Sequence, residues 1–95
     1  MCQNLYLIMK EYKIFWKKSA LKELKDLPHN ISKKIYDEIS SLINNPRPHN
    51  SKKLINLNDY YRIRIQDYRV IYSIHDNELI IHIIRIAHRK DVYKQ

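Results

Sequence analysis

The sequence predicts an α+β domain in which two paired N-terminal helices lie on one face of a small, mainly antiparallel sheet, in the order β-α-α-β-β-β. Two observations predict this fold: an Ile/Leu stripe at helical spacing over residues 31–43, and β-branched and aromatic runs after residue 60. Glycine is absent, so Asn, Asp and Pro must form the turns. The 95 residues fit one domain with a single core.

The N-terminal half predicts one strand and two helices. Weak alternation in Tyr12–Trp16 indicates the first strand, and Ser19 is placed to cap a helix over about 20–27. The apolar residues of the second helix recur at every third or fourth position: Ile31, Ile35, Ile39, Leu42 and Ile43. This helix should end at Asn44–Asn45, because the residue before Pro46 avoids helical geometry.

The C-terminal half predicts a meander of three antiparallel strands. Its β-branched runs are separated by Gln66–Asp67 and Asp76–Asn77, which suit short hairpin turns. Before the meander, residues 52–55 indicate a short strand or an irregular edge. The aromatic pair Phe15 and Trp16 is expected in the core, while His82 should line the sheet and His75 should lie in a turn or strand end.

Strand alternation predicts which side chains share a face. Residues two apart point the same way, so Arg62 and Arg64 should lie opposite the helices, and Arg69 should join them. On the last strand, Arg85 and Arg89 should share a side. The same alternation adds Ala87, Leu79, Ile81 and Ile83 to that side. The strand would then be apolar on both faces, and the segment after Tyr93, a second copy or a partner chain would have to cover the second one; we favour a partner chain.

Composition limits the classes of function. A net charge of +8 and a pI of about 9.6 favour phosphate backbones or anionic surfaces as partners. The single cysteine, Cys2, excludes an intramolecular disulfide, and no run approaches the ~18 apolar residues of a membrane span. We therefore expect a cytoplasmic protein. Met9 is a second plausible start, which makes residues 1–8 a possible extension of a single domain over 9–95.

The arginine-bearing strands predict a site for a polyanion. Several guanidinium groups on one sheet need either internal carboxylates, such as Asp67 or Asp91 for Arg69, or an external polyanion. We favour the polyanion because carboxylates are scarce, with 10 Asp and Glu against 18 Lys and Arg. Converging arginines would bind phosphates and stabilise a pentacoordinate phosphorane. Proton transfer would then fall to His88 or Tyr93. No Asp/Glu cluster suits magnesium, and we expect no metal or other cofactor.

The order of these motifs resembles the RelE/ParE toxin superfamily, the toxin halves of type II toxin–antitoxin pairs. The resemblance extends from Lys13 to Tyr93. It is carried by the opening strand, Ala20-Leu21-Lys22-Glu23-Leu24 with Leu27-Pro28, the helix end at Leu42 to Pro46, Lys53-Leu54, Tyr61-Arg62-Ile63-Arg64, Asp67-Tyr68-Arg69-Val70-Ile71-Tyr72, and His88-Arg89 before Asp91-Val92-Tyr93. No single motif is specific, but their shared order favours this fold.

The resemblance implies a function and a set of site residues. The RelE-like branch, which we favour, consists of ribosome-dependent endoribonucleases that cut mRNA in the A site. The ParE-like branch inhibits DNA gyrase, and an inactive antitoxin-binding homologue is a further alternative. The implied catalytic residues are Arg62, Arg64, Arg69, His88, Arg89 and Tyr93, and the implied RNA-binding residues are Lys52, Lys53 and Arg85. The expected partners are a cognate antitoxin and mRNA, with no small-molecule ligand and no membrane.

The sequence departs from one branch of the superfamily at two positions. Arginine replaces lysine at Arg62 and Arg64. Because a guanidinium keeps its proton at neutral pH, these residues should bind and stabilise phosphate rather than act as bases.

Overall fold

The computed structural model describes residues 11–55 and 58–88. The elements are β1 (Lys13–Trp16), α1 (Lys18–Lys25), α2 (His29–Ser41), β2 (Ser51–Lys53), β3 (Tyr60–Ile65), β4 (Tyr68–His75) and β5 (Ile80–His88). The predicted α+β architecture is confirmed, and β2 is the short edge strand indicated near residues 52–55. No helix in the described ranges is long and apolar enough to cross a membrane. The possible extension over residues 1–8, Arg89 and Tyr93 lie outside the described residues.

The five strands form one sheet in the order β1-β5-β4-β3-β2. The predicted meander is confirmed, because β3, β4 and β5 pair antiparallel in sequence order. The first strand, β1, forms one edge of the sheet and pairs parallel to β5, with Ile14 opposite Ile81. The chain therefore brings its first strand beside its last one.

The predicted hairpin turns form without glycine. Gln66, between β3 and β4, adopts a φ of 55°, and Leu79, before β5, also has a φ of 55°. A left-handed backbone costs an L-residue other than glycine roughly 1–2 kcal/mol. The paired strands on both sides of each turn must offset this cost.

The first helix begins earlier than the sequence predicts. It starts at Lys18, so Ser19 lies inside the first turn, and the N-cap residue Lys17 makes no side-chain cap hydrogen bond. The expected Ser19 cap is therefore wrong. Tertiary contacts replace it, since Ala20 and Leu24 are buried against the sheet.

The core lies between the two helices and one face of the sheet. The helices contribute Ala20, Leu24, Ile35, Ile39 and Leu42, and the sheet contributes Ile63, Ile65, Val70, Tyr72, Ile74, Ile81, Ile83 and Ile86. Trp16 packs against this cluster and stacks on Tyr36 at 6.4 Å between ring centroids. The prediction that Phe15 is also core is wrong: it is 48% exposed, because strand alternation points it away from the helices.

A β-bulge in β5 changes which side chains face the core. Ile71 pairs with Arg85 whereas Tyr72 pairs with Ile83, so Ile84 is left without a partner on β4. The extra residue reverses the alternation. Ile81 and Ile83, both 0% exposed, face the helices, and Arg85 faces the opposite side. The predicted shared side for these residues is wrong. Ile80 still lies on the side opposite Ile81 and Ile83, beside His82, so the prediction that a partner covers the second face of β5 stays a prediction.

Candidate functional site

Basic side chains lie in two lines across the face of the sheet that the helices leave uncovered, which we call the open face. Cross-strand pairing aligns Lys52, Arg62, Ile71 and Arg85 in one line and Arg64, Arg69 and Ala87 in the next. We call these two lines the basic rows. Directly paired side chains on one face are about 5 Å apart, and successive rows are about 7 Å apart. The predicted placement of Arg62, Arg64 and Arg69 on the face opposite the helices is therefore confirmed.

Arg69 is a buried cation with little compensation. The residue is only 2% exposed, and its Nη1 donates to the carbonyl oxygen of Tyr68 at 3.3 Å. Its Nε has no hydrogen-bond partner in the part of the chain that the structure describes. The ion pairs found among residues 11–55 and 58–88 do not include Arg69. Its cross-strand neighbour is Arg64, a second cation. A buried charge in this setting is costly unless an anion joins it.

Arg85 has a carboxylate nearby, in contrast to Arg69. Its Nε lies 3.9 Å from Oε2 of Glu23, whose Oε1 accepts a hydrogen bond from the backbone N–H of Ile86 at 2.9 Å. Glu23 thus accepts a hydrogen bond from a backbone N–H of β5 at Ile86, beyond Ile83, where the pairing with β1 ends. In the described part of the chain, Lys52, Arg62 and Arg64 take part in no ion pair, so the basic rows keep most of their positive charge.

Two predicted site residues lie on the other side of the sheet. His88 pairs with Tyr68 across β4 and β5, and the two rings meet edge to face at 5.3 Å. Lys53 pairs with Tyr61, which packs against the core, so Lys53 points to the helix side while Lys52 joins the basic rows. The roles predicted for His88 and Lys53 remain predictions. Both residues lie on the side of the sheet opposite Arg69.

Sequence reasoning missed a polar network that holds the connection after α2. Arg47 makes a bidentate pair with Asp76, at 2.7 Å and 3.2 Å, and its Nε donates to the Tyr61 hydroxyl at 3.0 Å. The Tyr12 hydroxyl donates to Oδ1 of the same Asp76 at 2.7 Å. The hydrogen bonds to Asp76 raise the pKa of Arg47 further above its usual range. The only sequence signal was the position of Arg47 between two prolines.

Tyr72 anchors the same connection from inside the core. Its ring stacks on Tyr61 at 6.0 Å, and its hydroxyl donates to the carbonyl oxygen of Pro46 at 2.8 Å. Burial raises the pKa of Tyr72 to about 12. Burial and the neighbouring Asp76 likewise raise the pKa of Tyr12. The network is structural, because its charges are paired and its hydroxyls bonded.

Comparison with known proteins agrees with this architecture. A family model described as the ParE toxin of type II toxin–antitoxin systems, parDE, matches residues 14–93. The chain belongs to this toxin family. It is similar to two proteins of Methanocaldococcus jannaschii: RelE1, at 39% identity over 80 residues (81% of this chain, 89% of RelE1), and the toxin RelE3, at 32% over 85 residues (85% and 94%).

A solved structure resembles the whole fold. The archaeal RelE–RelB complex from Pyrococcus horikoshii OT3 matches with a TM-score of 0.76 and 30% identity, covering 83% of this chain and 96% of that one. The RelE/ParE resemblance of the sequence is therefore confirmed. The protein is a RelE-like toxin of a type II toxin–antitoxin system.

Proposed function

We propose that this toxin is an endoribonuclease that cleaves mRNA in the ribosomal A site, without a metal ion, and thereby stops translation in the cytoplasm. One observation carries the proposal: within residues 11–55 and 58–88, Arg69 is a buried guanidinium with an unbonded Nε, and the surrounding basic rows add cations. Such an arrangement is stable with a phosphate bound and costly without an anion.

The proposed reaction uses the 2′-hydroxyl of the RNA as the nucleophile. Its oxygen attacks the adjacent phosphorus as the proton leaves to a base, and the bond to the 5′-oxygen breaks as an acid protonates that oxygen. The products are a 2′,3′-cyclic phosphate and a 5′-hydroxyl. The intermediate phosphorane carries an extra negative charge, which Arg69 and Arg64 would stabilise from one row.

The second basic row would hold the neighbouring nucleotides. Lys52, Arg62 and Arg85 lie about one row spacing from Arg69, so they are placed to bind phosphates adjoining the cleaved one. Arg89, from the sequence pattern, would extend this set. Arginine at 62 and 64 contributes charge and bidentate hydrogen bonds rather than proton transfer.

For proton transfer we put Tyr93 ahead of His88. The His88 ring contacts Tyr68 on the side of the sheet away from Arg69, which argues against its reaching the same phosphate. Tyr93→Phe should therefore reduce cleavage more than His88→Ala, with both variants folded by circular dichroism. If His88→Ala is inactive and Tyr93→Phe is fully active, the assignment is reversed.

We further propose a cognate antitoxin that neutralises the basic rows. The chain carries a net charge of +8, and the similar RelE of P. horikoshii was solved in complex with RelB. An acidic segment over Lys52, Arg62 and Arg64 would supply the missing counter-charges and exclude RNA. Charge reversal at Arg62 and Arg64 should weaken that complex, as measured by calorimetry.

The decisive test is mapping of mRNA ends in a cell-free translation system. The wild-type chain should produce codon-phased cuts on translated mRNA, and Arg62→Ala with Arg64→Ala should not. A gyrase supercoiling assay runs beside it, because the matching family model carries the ParE name. Intact mRNA together with trapped gyrase would overturn the nuclease proposal and indicate a gyrase inhibitor. Intact mRNA and unaffected gyrase would indicate an inactive antitoxin-binding homologue.

A further inference from the structure

The open face carries a third line of side chains, beside the basic rows. Cross-strand pairing aligns Tyr60, Ser73, His82 and Phe15 over β3, β4, β5 and β1. We call this line the aromatic row. It lies one step along the strands from the line that contains Arg62 and Arg85, because Ser73 follows Ile71 by two residues on β4.

The rings at this end of the sheet form a continuous surface. Phe15 stacks on His82 with 5.7 Å between ring centroids and 28° between planes. His75 meets His82 edge to face at 5.3 Å, and its Nε2 lies 3.1 Å from the Ser73 hydroxyl. The Ser73 contact holds the His75 ring, so the Phe15–His82 stack has a fixed neighbour.

This surface lies outside the hydrophobic core. Phe15 is 48% exposed and His82 is exposed, although large apolar rings normally lie inside. Within residues 11–55 and 58–88, no three His, Cys, Asp or Glu side chains are grouped closely enough to hold a metal ion. The two histidines therefore do not belong to a larger ligand cluster there.

We propose that Phe15 and His82 form a stacking platform for nucleobases of single-stranded RNA whose phosphates lie on the basic rows. This platform rests on the proposed function in one respect, the binding of RNA by those rows. Every base has a π face, and exposed aromatic rings beside a cationic track are the combination that binds single strands. The platform holds nucleotides outside the cleaved bond, so it adds affinity without taking part in chemistry.

The test measures binding of a labelled hexauridylate with 2′-O-methyl groups, which prevent cleavage, and of the same backbone with abasic sites. Phe15→Ala and His82→Ala should each bind hexauridylate roughly 5- to 100-fold more weakly than the wild type. Both variants should bind the abasic strand as the wild type does. Tyr36→Ala is the matched control: Tyr36 is 53% exposed but stacks on Trp16 on the helix side, so its removal should leave binding unchanged.

The outcomes separate the platform from the nuclease. Equal binding of hexauridylate by the wild type, Phe15→Ala and His82→Ala overturns the platform even if mRNA is cut. Base-dependent binding that both variants lose supports the platform even if no mRNA is cut, which would instead count against the proposed function. A wild-type dimer that Phe15→Ala dissociates in sedimentation also overturns the proposal, because the rings would then form a protein interface.

Discussion

Arg47 and Arg69 are the same residue type in opposite electrostatic settings. Arg47 is partly exposed and makes two hydrogen bonds to Asp76, a third to Tyr61, and a contact of 5.1 Å with the Tyr61 ring. Arg69 is 2% exposed and stands opposite another arginine, and among the described residues its side chain bonds to one carbonyl oxygen. The more accessible cation is the better paired one.

This contrast distinguishes an arginine that holds the fold from one that we propose to be functional, by their partners. Burial usually accompanies pairing, since an unpaired charge in the interior costs free energy. A buried cation without an ion pair among the described residues is therefore a candidate for binding an external anion. The Arg47 network maintains the fold, whereas the basic rows carry positive charge that we propose a ligand balances.

The largest expected effect is from Arg69→Met, which removes the buried charge but keeps an apolar stem. Codon-phased mRNA cutting should fall by about 100-fold or more, because a donor to the transition-state charge is lost. The free energy of unfolding should rise by about 1 kcal/mol, because an uncompensated cation leaves the interior. End mapping and urea denaturation measure the two quantities. Lower stability would mean that Arg69 is structural.

Arg47→Met should have the opposite pattern. It removes the hydrogen bonds to Asp76 and Tyr61 and should lower the free energy of unfolding by about 1 to 2 kcal/mol, a modest value because the ion pair is partly exposed. Cleavage per folded molecule should stay at the wild-type level. A variant that folds normally but cuts no mRNA would place Arg47 in the RNA site and contradict the distinction between Arg47 and Arg69.

Tyr72→Phe tests the buried end of the structural network. Loss of the hydrogen bond to Pro46 should cost about 1 kcal/mol of unfolding free energy. The pKa of Tyr72 is raised from 10.0 to about 12 in the folded protein, so between these values the unfolded chain binds fewer protons. Stability should therefore fall as the pH rises from 10 to 12, and less so in Tyr72→Phe. Identical alkaline melting curves would contradict this.

The smallest effect is expected at two adjacent lysines in β2. Lys52 faces the basic rows and Lys53 faces the helix side, although both are exposed. Lys52→Ala should weaken RNA binding about fivefold at ~0.1 M salt. The slope of the logarithm of the binding constant against the logarithm of the salt concentration should fall by about the amount expected for one phosphate contact. Lys53→Ala is the matched control and should change neither. Equal losses in both variants would show that net charge alone, rather than the open face, controls binding.

Most of the fold could be predicted because its signals are local. The period of the isoleucine stripe in α2 and the strand runs around Gln66–Asp67 depend on neighbouring residues only. Alternation also grouped Arg62, Arg64 and Arg69 correctly, since β3 and β4 pair without interruption. The start of α1 was misplaced because packing of Ala20 and Leu24 overrides a weak cap signal.

The candidate site was less predictable where pairing is irregular. Arg85 was assigned to the wrong side of Ile81 and Ile83, because the bulge at Ile84 depends on the match between two strands rather than on either sequence alone. Phe15 was assigned to the core because a single aromatic-rich strand does not indicate which of its faces the helices cover. The Arg47–Asp76 pair joins residues 29 positions apart, with no local pattern to indicate it.

The sequence by itself determined the elements, the toxin family and the presence of excess positive charge on the meander, because periodicity, motif order and composition are properties of the chain. The tertiary structure alone decided which cations of the described residues are paired with a carboxylate. Strand register decides that Arg69 is buried and that Lys53 and His88 point to the helix side of the sheet. It also decides that Phe15 lies beside His82. Register is set by long-range packing, and a one-residue shift exchanges the two faces.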